Sequence, residues 1–154
     1  MKALFSLGML VVTFAAGIST AAATEPPADT PRSVAAAYFK AMDAADLDAA
    51  EKLFAAQSEV FETGGQEGSW KHYREHHLGP EIEGVASFVT TLGQSVARSS
   101  QDESMAYVAW PIEYKIVLKD ERVIESNGSV TFVMVREEHS YRITHLHWSS
   151  RRKQ

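Results

Sequence analysis

The chain has 154 residues, of which 45% are hydrophobic and 23% are charged, and it contains no cysteine. This length favours one domain with a single core, and the lack of thiols excludes disulfide scaffolds, zinc fingers, iron–sulfur clusters and cysteine nucleophiles. A formal net charge of −5 argues against nucleic acid as a partner.

The N-terminal segment has the features of a secretory signal peptide. Lys2 precedes an apolar run over residues 3–18, and Ala21-Ala22-Ala23 fits a cleavage site of small residues. We predict that residues 1–23 are removed by a cut after Ala23, leaving a periplasmic or secreted protein with no stable membrane anchor. An uncleaved anchor is the alternative, although the run is shorter than the ~20 apolar residues of a span. The polar, proline-rich residues 24–30 are expected to form a flexible leader.

Residues 31–152 form the predicted domain, which begins with helical patterns. Thr30-Pro31 is typical of a helix start, and apolar residues at three- and four-residue spacing over 34–42 predict an amphipathic helix. Asp46 is positioned to cap a second short helix whose apolar stripe reaches Phe54.

A strand and a third helix are expected next. Residues 58–63 favour a strand that ends at the Gly64-Gly65 turn. Ser69 is placed to cap a short helix over residues 70–77, which Gly79-Pro80 would end.

The second half of the chain is rich in β-branched and aromatic residues and predicts a sheet. Residues 86–98 favour one interrupted strand, and residues 104–118 a long strand in which Pro111 marks a bulge, a bend or an edge. Residues 123–136 predict a strand with a bulge at Asn127-Gly128, a hairpin there being the alternative. Residues 141–150 complete an α+β domain of three N-terminal helices packed on a strongly bent antiparallel sheet.

Three segments resemble the nuclear-transport-factor-2-like superfamily and, within it, the SnoaL-like (DUF4440-type) domains. They are VAAAYFKAMDAADLDAAEKLFA, VFETGGQEGSWKHYREHHLGPE and GSVTFVMVREEHSYRITHLHWSSR. The resemblance implies the cone of this superfamily, with a cavity under the bent sheet and a homodimer formed through the sheets. It does not imply one chemistry, because the superfamily contains isomerases, dehydratases, hydrolases and binding modules.

The last predicted strand carries two of the six histidines, and their role depends on which face of the sheet they lie on. Strict alternation would place Tyr141, Ile143, His145 and His147 on one face. We predict that this face lines the cavity and that Leu146 and Trp148 face a partner subunit; the reverse assignment stays open.

These considerations predict a pocket that is mostly aromatic and carries one polar cluster. The spacing of Trp70, Tyr73 and His77 puts them on one helical stripe, and Glu62 is close to them in sequence. No residue is assigned as catalytic. The predicted pocket residues are Glu62, Trp70, Tyr73, His77, Trp110, Tyr141, His145 and His147.

A divalent transition metal is the boldest expectation. His145 and His147, with His77 or His76 and with Glu62 as a ligand or supporting group, would suit zinc, copper or nickel. The alternative is that these side chains are ordinary polar groups, hydrogen-bonded to one another and to water.

Three functions remain open from the sequence. The first is binding of a small, partly apolar molecule in the cavity. The second is an enzyme that uses histidine and glutamate for acid–base or metal-assisted chemistry in the same pocket. The third is a non-catalytic, dimeric association module.

Overall fold

The computed structural model describes residues 30–154, so the predicted signal peptide and residues 24–29 of the predicted leader lie outside the described part of the chain. The helices are α1 (Pro31–Asp43), α2 (Leu47–Glu51), α3 (Trp70–Tyr73) and α4 (Gly79–Glu83), and a π-helical turn (Arg74–Leu78) joins the last two. The strands are β1 (Phe54–Glu62), β2 (Gly65–Gly68), β3 (Val85–Leu92), β4 (Val96–Ser99), β5 (Met105–Leu118), β6 (Val123–Glu137) and β7 (Ser140–Arg152). Over residues 30–154, none of the helices has the length and apolar character needed to span a bilayer.

The seven strands form one strongly curved, open sheet, which confirms the predicted α+β cone. The order is β2-β1-β7-β6-β5-β3, and β4 pairs with β5 beyond the end of β3. All pairs are antiparallel except β1 and β7, which run parallel. We call the side of the sheet against which α1 packs the inner face and the opposite side the outer face.

Helix α1 forms as its sequence predicts. Thr30 and Ser33 make a reciprocal capping box, and Pro31 occupies the first turn. The buried side of α1 includes Tyr38 and Phe39, whose rings meet the ring of Phe132 on β6 edge-on at 5.4 and 5.5 Å between centroids. These contacts put the centre of the core between α1 and the inner face.

The third helix does not end at Gly79-Pro80, and this prediction is wrong. The chain instead widens into the π-helical turn, in which the Gly79 N–H donates to the carbonyl of Arg74, and then continues as α4. A Cβ atom on residue 79 would lie 2.6 Å from that carbonyl oxygen, so the turn requires glycine. Pro80 is tolerated because it falls in the first turn of α4, where the N–H it lacks is not needed.

Two further predictions for the strands are corrected. The first strand starts at Phe54 rather than at residue 58, and residues 65–68 pair with it as β2 instead of forming only a turn. Strand β6 shows neither a hairpin nor a bulge at Asn127-Gly128, since both residues pair in register with β5. Gly128 has a packing role instead: a Cβ there would lie 2.9 Å from the Ser149 carbonyl oxygen of β7.

Pro111 lies where its missing N–H is harmless. On that side of β5, Leu92 of β3 pairs with Ile112 and Val96 of β4 pairs with Ala109, so Pro111 sits at the gap between the two short strands. Its carbonyl accepts a hydrogen bond from Gly93 N–H at 2.9 Å. Of the bulge, bend or edge predicted for Pro111, the structure shows a local edge.

A one-residue bulge in β7 reverses the faces on which its side chains lie. Ile143 pairs with Met134 and His145 pairs with Val133, so Thr144 is an extra residue opposite β6. Tyr141 and Ile143 are buried before the bulge, and Leu146 and Trp148 are buried after it. The prediction that His145 and His147 share the inner face with Tyr141 and Ile143 is wrong, because strict alternation does not survive an inserted residue.

A candidate ligand cavity with a buried carboxylate

A cavity of about 240 Å³ lies between the inner face and the helices. Pockets for drug-sized ligands are typically about 300–1,000 Å³, so this one suits a small metabolite. Its lining comes from α1, the loop after α1, the end of β1, α3, α4 and strands β3, β5 and β7. The lining residues are Tyr38, Met42, Asp43, Ala44, Ala45, Glu62, Tyr73, Leu78, Glu81, Ile82, Val85, Ala86, Ser87, Phe88, Tyr114, Ile116 and Trp148.

Glu62, the last residue of β1, presents a partly buried carboxylate to this cavity. The Tyr73 hydroxyl donates to Glu62 Oε2 at 2.6 Å, which fixes the orientation of the carboxyl group. Burial raises the pKa of Glu62 above its ordinary value, and the Tyr73 hydrogen bond and the field of His77 oppose that rise. Burial also raises the pKa of Tyr73, so its hydroxyl keeps its proton and remains a donor.

His77 lies close to Glu62 but outside the cavity lining, and three carboxylates lie within 4 Å of its ring nitrogens. Its Nδ1 is 2.9 Å from Glu67 Oε2, and its Nε2 is 3.2 Å from Glu81 Oε1 and 3.9 Å from Glu62 Oε2. The hydrogen bond to Glu67 raises the pKa of His77 most, and the charges of Glu81 and Glu62 add to this. Both ring nitrogens face acceptors, an arrangement that suits the doubly protonated, cationic ring.

Another part of the cavity lining is aromatic. Phe88, Tyr114 and Trp148 form a cluster with ring centroids 5.6–6.4 Å apart. The Tyr114 hydroxyl is 2.8 Å from Ser150 Oγ, and this hydrogen bond holds the ring in place. The cavity therefore has one carboxylate-rich wall and one wall of rings.

The predicted pocket residues lie in or beside the cavity, in the core, or on the outer face of the sheet. Glu62 and Tyr73 line the cavity, and His77 contacts Glu62 without lining it. Trp70 is packed in the core, with its ring stacked 4.3 Å from that of Phe54. Trp110 and Tyr141 are buried elsewhere, bonded to the Gly93 and Glu103 carbonyls respectively.

His145 and His147 lie on the outer face, away from Glu62 and His77. Their rings pack beside Phe61, with centroids at 5.3 and 6.5 Å. Phe61 pairs with His147, whereas Glu62 pairs with Trp148 on the inner side. The sheet thus separates the two parts of the predicted metal site.

His76, the remaining proposed ligand, is exposed and lies beside His72, with 4.5 Å between ring centroids. Within residues 30–154, no three or more histidine, aspartate or glutamate side chains are grouped so as to hold a metal ion. The particular ligand set expected from the sequence is therefore not assembled in this fold.

Several cavity residues were missed by sequence reasoning. Trp148 was assigned to a partner subunit, and only the bulge in β7 brings it inside. Tyr38 was correctly placed on the apolar stripe of α1, but nothing in that stripe distinguishes a cavity wall from plain core. Glu81 had no signal, because the predicted third helix ended at residue 77, four residues before it.

Comparison with known proteins gives a family and a fold. The sequence profile of the SnoaL-like domain matches residues 32–152. No curated protein matches the chain.

Solved structures match over most of their length at low identity. A nuclear transport factor 2 (NTF2-like) superfamily protein from Salmonella enterica serovar Typhimurium is 18% identical with a TM-score of 0.68, over 79% of this chain and 88% of that one. A ketosteroid isomerase-like protein from Erwinia carotovora atroseptica is 18% identical with a TM-score of 0.65, over 78% and 92%. The protein named LinA is 7% identical with a TM-score of 0.68, over 78% and 82%. These similarities extend to the fold alone.

Proposed function

The chain belongs to the SnoaL-like domain family, and we propose that it binds a small, partly apolar molecule in the cavity beneath its sheet. The observation that carries this proposal is the cavity itself: about 240 Å³ lined mainly by aromatic and aliphatic side chains, with the oriented carboxyl group of Glu62 in its wall. A few fixed polar groups in an apolar lining are typical of ligand pockets.

Binding is tested by blocking the cavity. Ala86 is an exposed residue at the cavity wall, so an Ala86→Trp change can place an indole there without displacing the core. Ala56→Trp is the matched control, since Ala56 is also exposed but does not line the cavity. Compounds with one or two rings, among them cations, neutral molecules and anions, are screened for an increase in the Tm of the protein and for binding in native mass spectrometry.

We expect some compounds to raise the Tm of the wild-type protein and of Ala56→Trp and to appear bound to both in native mass spectrometry. The same compounds should neither raise the Tm of Ala86→Trp nor bind to it. A screen that finds no bound compound, or one whose hits are unaffected by Ala86→Trp, overturns the proposal.

Proton transfer by Glu62 is a second candidate function, favoured by the direction of its pKa shift. A carboxylate whose pKa is raised by burial is a stronger base than an exposed one. Its pKa is also closer to neutral pH, and general acid–base catalysis is most efficient when the pKa of the catalytic group lies near the working pH. Tyr73 holds this carboxylate in place and leaves the other oxygen, Oε1, for a ligand. The structural neighbour described as ketosteroid isomerase-like gives the fold a precedent for such a role.

A chromogenic carbon acid tests this second candidate. With 5-nitrobenzisoxazole, a base removes the ring C–H proton, the N–O bond breaks and a coloured cyanophenolate forms. We expect turnover by the wild-type protein that rises with pH as Glu62 ionises, and its loss in Glu62→Gln. Equal rates for the two proteins would exclude Glu62 as a base in this cavity.

We also propose that the protein is a homodimer formed through the outer face of the sheet. Met105, Tyr107 and Val96 are 48%, 41% and 45% exposed there, and Phe61 lies on the same face. Light scattering is expected to give the mass of a dimer for the wild-type protein and of a monomer for Tyr107→Glu. A monomeric wild-type protein at micromolar concentration contradicts this proposal.

Export to the periplasm or the medium is proposed on the sequence of residues 1–23. N-terminal sequencing of the protein recovered from a periplasmic extract or from the medium is expected to begin at Thr24. Recovery of the intact N-terminus in the membrane fraction would favour the uncleaved anchor instead.

A further inference from the structure

The charged residues of the cavity lining have one sign. Asp43, Glu62 and Glu81 line the cavity, and within residues 30–154 the lining includes no lysine, arginine or histidine. His77 is the positive group nearest to Glu62, but it lies outside the lining and already faces Glu67 and Glu81. The cavity therefore presents a negative potential to whatever enters it.

The polar atoms of the lining also require hydrogen-bond donors from a ligand more than they require acceptors. Carboxylates can only accept hydrogen bonds once ionised, and the Tyr73 proton is already donated to Glu62. The Tyr38 hydroxyl has no hydrogen-bond partner among the described residues, although this side chain is only 2% exposed and lines the cavity. The hydroxyl is not closed off from solvent, since the buried side-chain atoms without a partner in residues 30–154 are Trp70 Nε1 and Thr90 Oγ1. On a side chain this buried it opens into the cavity and is available to a polar group of a ligand.

The aromatic wall fits the same kind of ligand. Phe88, Tyr114 and Trp148 form one cluster on the cavity wall, and a cation within about 6 Å of an aromatic ring centroid is attracted to its face. Aromatic rings and carboxylates in one lining can hold an organic ammonium ion together, because the rings contact its carbon atoms and the carboxylates its charge.

We propose that the cavity selects a small organic amine in its protonated form, with the ammonium group between Glu62, Glu81 and Tyr38 and the carbon skeleton against Phe88 and Trp148. This proposal rests on the binding function proposed above and adds the charge of the ligand to it. An ammonium group supplies only donors, which is what the acidic side chains and the free Tyr38 oxygen require. Anionic ligands are disfavoured by the same carboxylates.

Three probes of similar size and different charge test the proposal: 2-phenylethylamine, 2-phenylethanol and phenylacetate, titrated into the purified protein by calorimetry at neutral pH. We expect the amine to bind about tenfold more tightly than the alcohol, because hydrogen bonds to charged groups are stronger than neutral ones. Phenylacetate should bind more weakly than the alcohol.

Variants then assign the selectivity to the cavity. Glu81→Gln should weaken binding of the amine about threefold to tenfold and leave binding of the alcohol unchanged. Glu83→Gln is the matched control: Glu83 is also an exposed glutamate of α4, it does not line the cavity, and its substitution should change neither affinity.

The outcomes separate the two proposals. If the alcohol or phenylacetate binds as tightly as the amine, the cavity binds ring compounds but the charge selectivity is wrong. If Glu83→Gln weakens the amine as much as Glu81→Gln does, the preference comes from the general acidity of the protein and the proposed site is also wrong. If none of the three probes binds and the wider screen is negative, binding in the cavity fails altogether.

Discussion

The two faces of β7 show how one strand can serve two different environments. On the inner face, Trp148 lines the cavity and belongs to the cluster of aromatic rings with Phe88 and Tyr114. On the outer face, His147 is the immediate neighbour in sequence but is exposed beside Phe61. The difference is set by the inserted Thr144, which decides which residues after it face the cavity. A histidine pair that resembles a metal site in the sequence is therefore a surface feature in the fold.

The largest effect is expected from deleting Thr144. Without the extra residue, either Tyr141 and Ile143 or Leu146 and Trp148 would turn to the outer face. Each buried apolar side chain contributes about 1.5–3 kcal/mol, so losing either pair removes about 3–6 kcal/mol, a large share of the 5–15 kcal/mol that stabilises a typical domain. We expect the midpoint of urea unfolding to fall sharply.

Thr144→Ala is the control for this deletion, because it keeps the residue count. It loses the hydrogen bond from the Thr144 hydroxyl to the Gln57 carbonyl, which costs about 1 kcal/mol. A deletion variant that unfolds like wild type would contradict the proposed role of the bulge.

The next largest effect is expected at Trp148. Trp148→Ala should destabilise the domain by about 3–5 kcal/mol, because it empties a buried site packed against Phe39, Phe88 and Tyr114. His147→Ala, one residue away on the outer face, should change the free energy of unfolding by no more than about 0.5 kcal/mol. Urea denaturation of the pair measures the contrast, and comparable losses would show that the two faces are not different.

Glu62→Gln is expected to stabilise the protein. The folded-state pKa of Glu62 lies above its ordinary value of 4.5, so the wild-type protein loses stability as the pH rises between those two values, and the glutamine variant does not. The amide oxygen still accepts from Tyr73, so we expect a gain on the order of 1 kcal/mol at neutral pH and none near pH 4. Thermal unfolding at both pH values measures this, and a variant less stable than wild type at neutral pH would mean that the carboxylate is structural.

A smaller pH dependence in the same direction is expected at His77, but here the substitution destabilises the protein. Its folded-state pKa lies above its ordinary value of 6.5, so its stabilisation is fully present below about pH 6.5 and is lost as the pH rises through the folded value. Since the side chain is 32% exposed, we expect His77→Ala to cost under about 1 kcal/mol at pH 6 and less at pH 9. His76→Ala, on an exposed neighbour, is the control; a loss for His77→Ala that does not change with pH would point to packing rather than charge.

The smallest effect is expected on the outer face. The double change His145→Ala/His147→Ala should leave binding in the cavity unchanged, because the sheet lies between these residues and Glu62. Zinc titration by calorimetry should give the same result for wild type and the double variant. A zinc site that is present in the wild-type protein and absent from the double variant would support the hypothesis that His145 and His147 bind a metal.

Local signals in the sequence predicted local structure well. Thr30 and Asp46 cap helices as expected because capping depends on the nearest few residues, and Pro111 was restricted to an edge by its own chemistry. The predicted cone, with Glu62 and Tyr73 side by side, follows from the order of the elements and from the family resemblance.

The errors at Gly128 and in β7 depend on contacts distant in sequence, whereas the error at Gly79 depends on the local geometry of the helix. Gly79 looks like a helix end until the Arg74 carbonyl that it accommodates is known, and Gly128 resembles a turn residue until β7 is packed against it. The face of β7 could not be derived from its own residues, because the bulge at Thr144 is fixed by pairing with β6 and by the hydrogen bond to Gln57. Tertiary pairing decides such positions.

The π-helical turn and the bulge at Thr144 have a consequence for how this cavity diverges among relatives. Each departs from regular geometry by a single residue, the kind of change that one inserted codon produces. In a strand, such an insertion exchanges the following side chains between the two faces of the sheet, and in a helix it rotates them by about 100° about the axis. A pocket can therefore acquire a new set of contacts without any of those residues being replaced. Alignments with neighbours at 7–18% identity can therefore transfer site residues across β7 only when the bulge itself is aligned first.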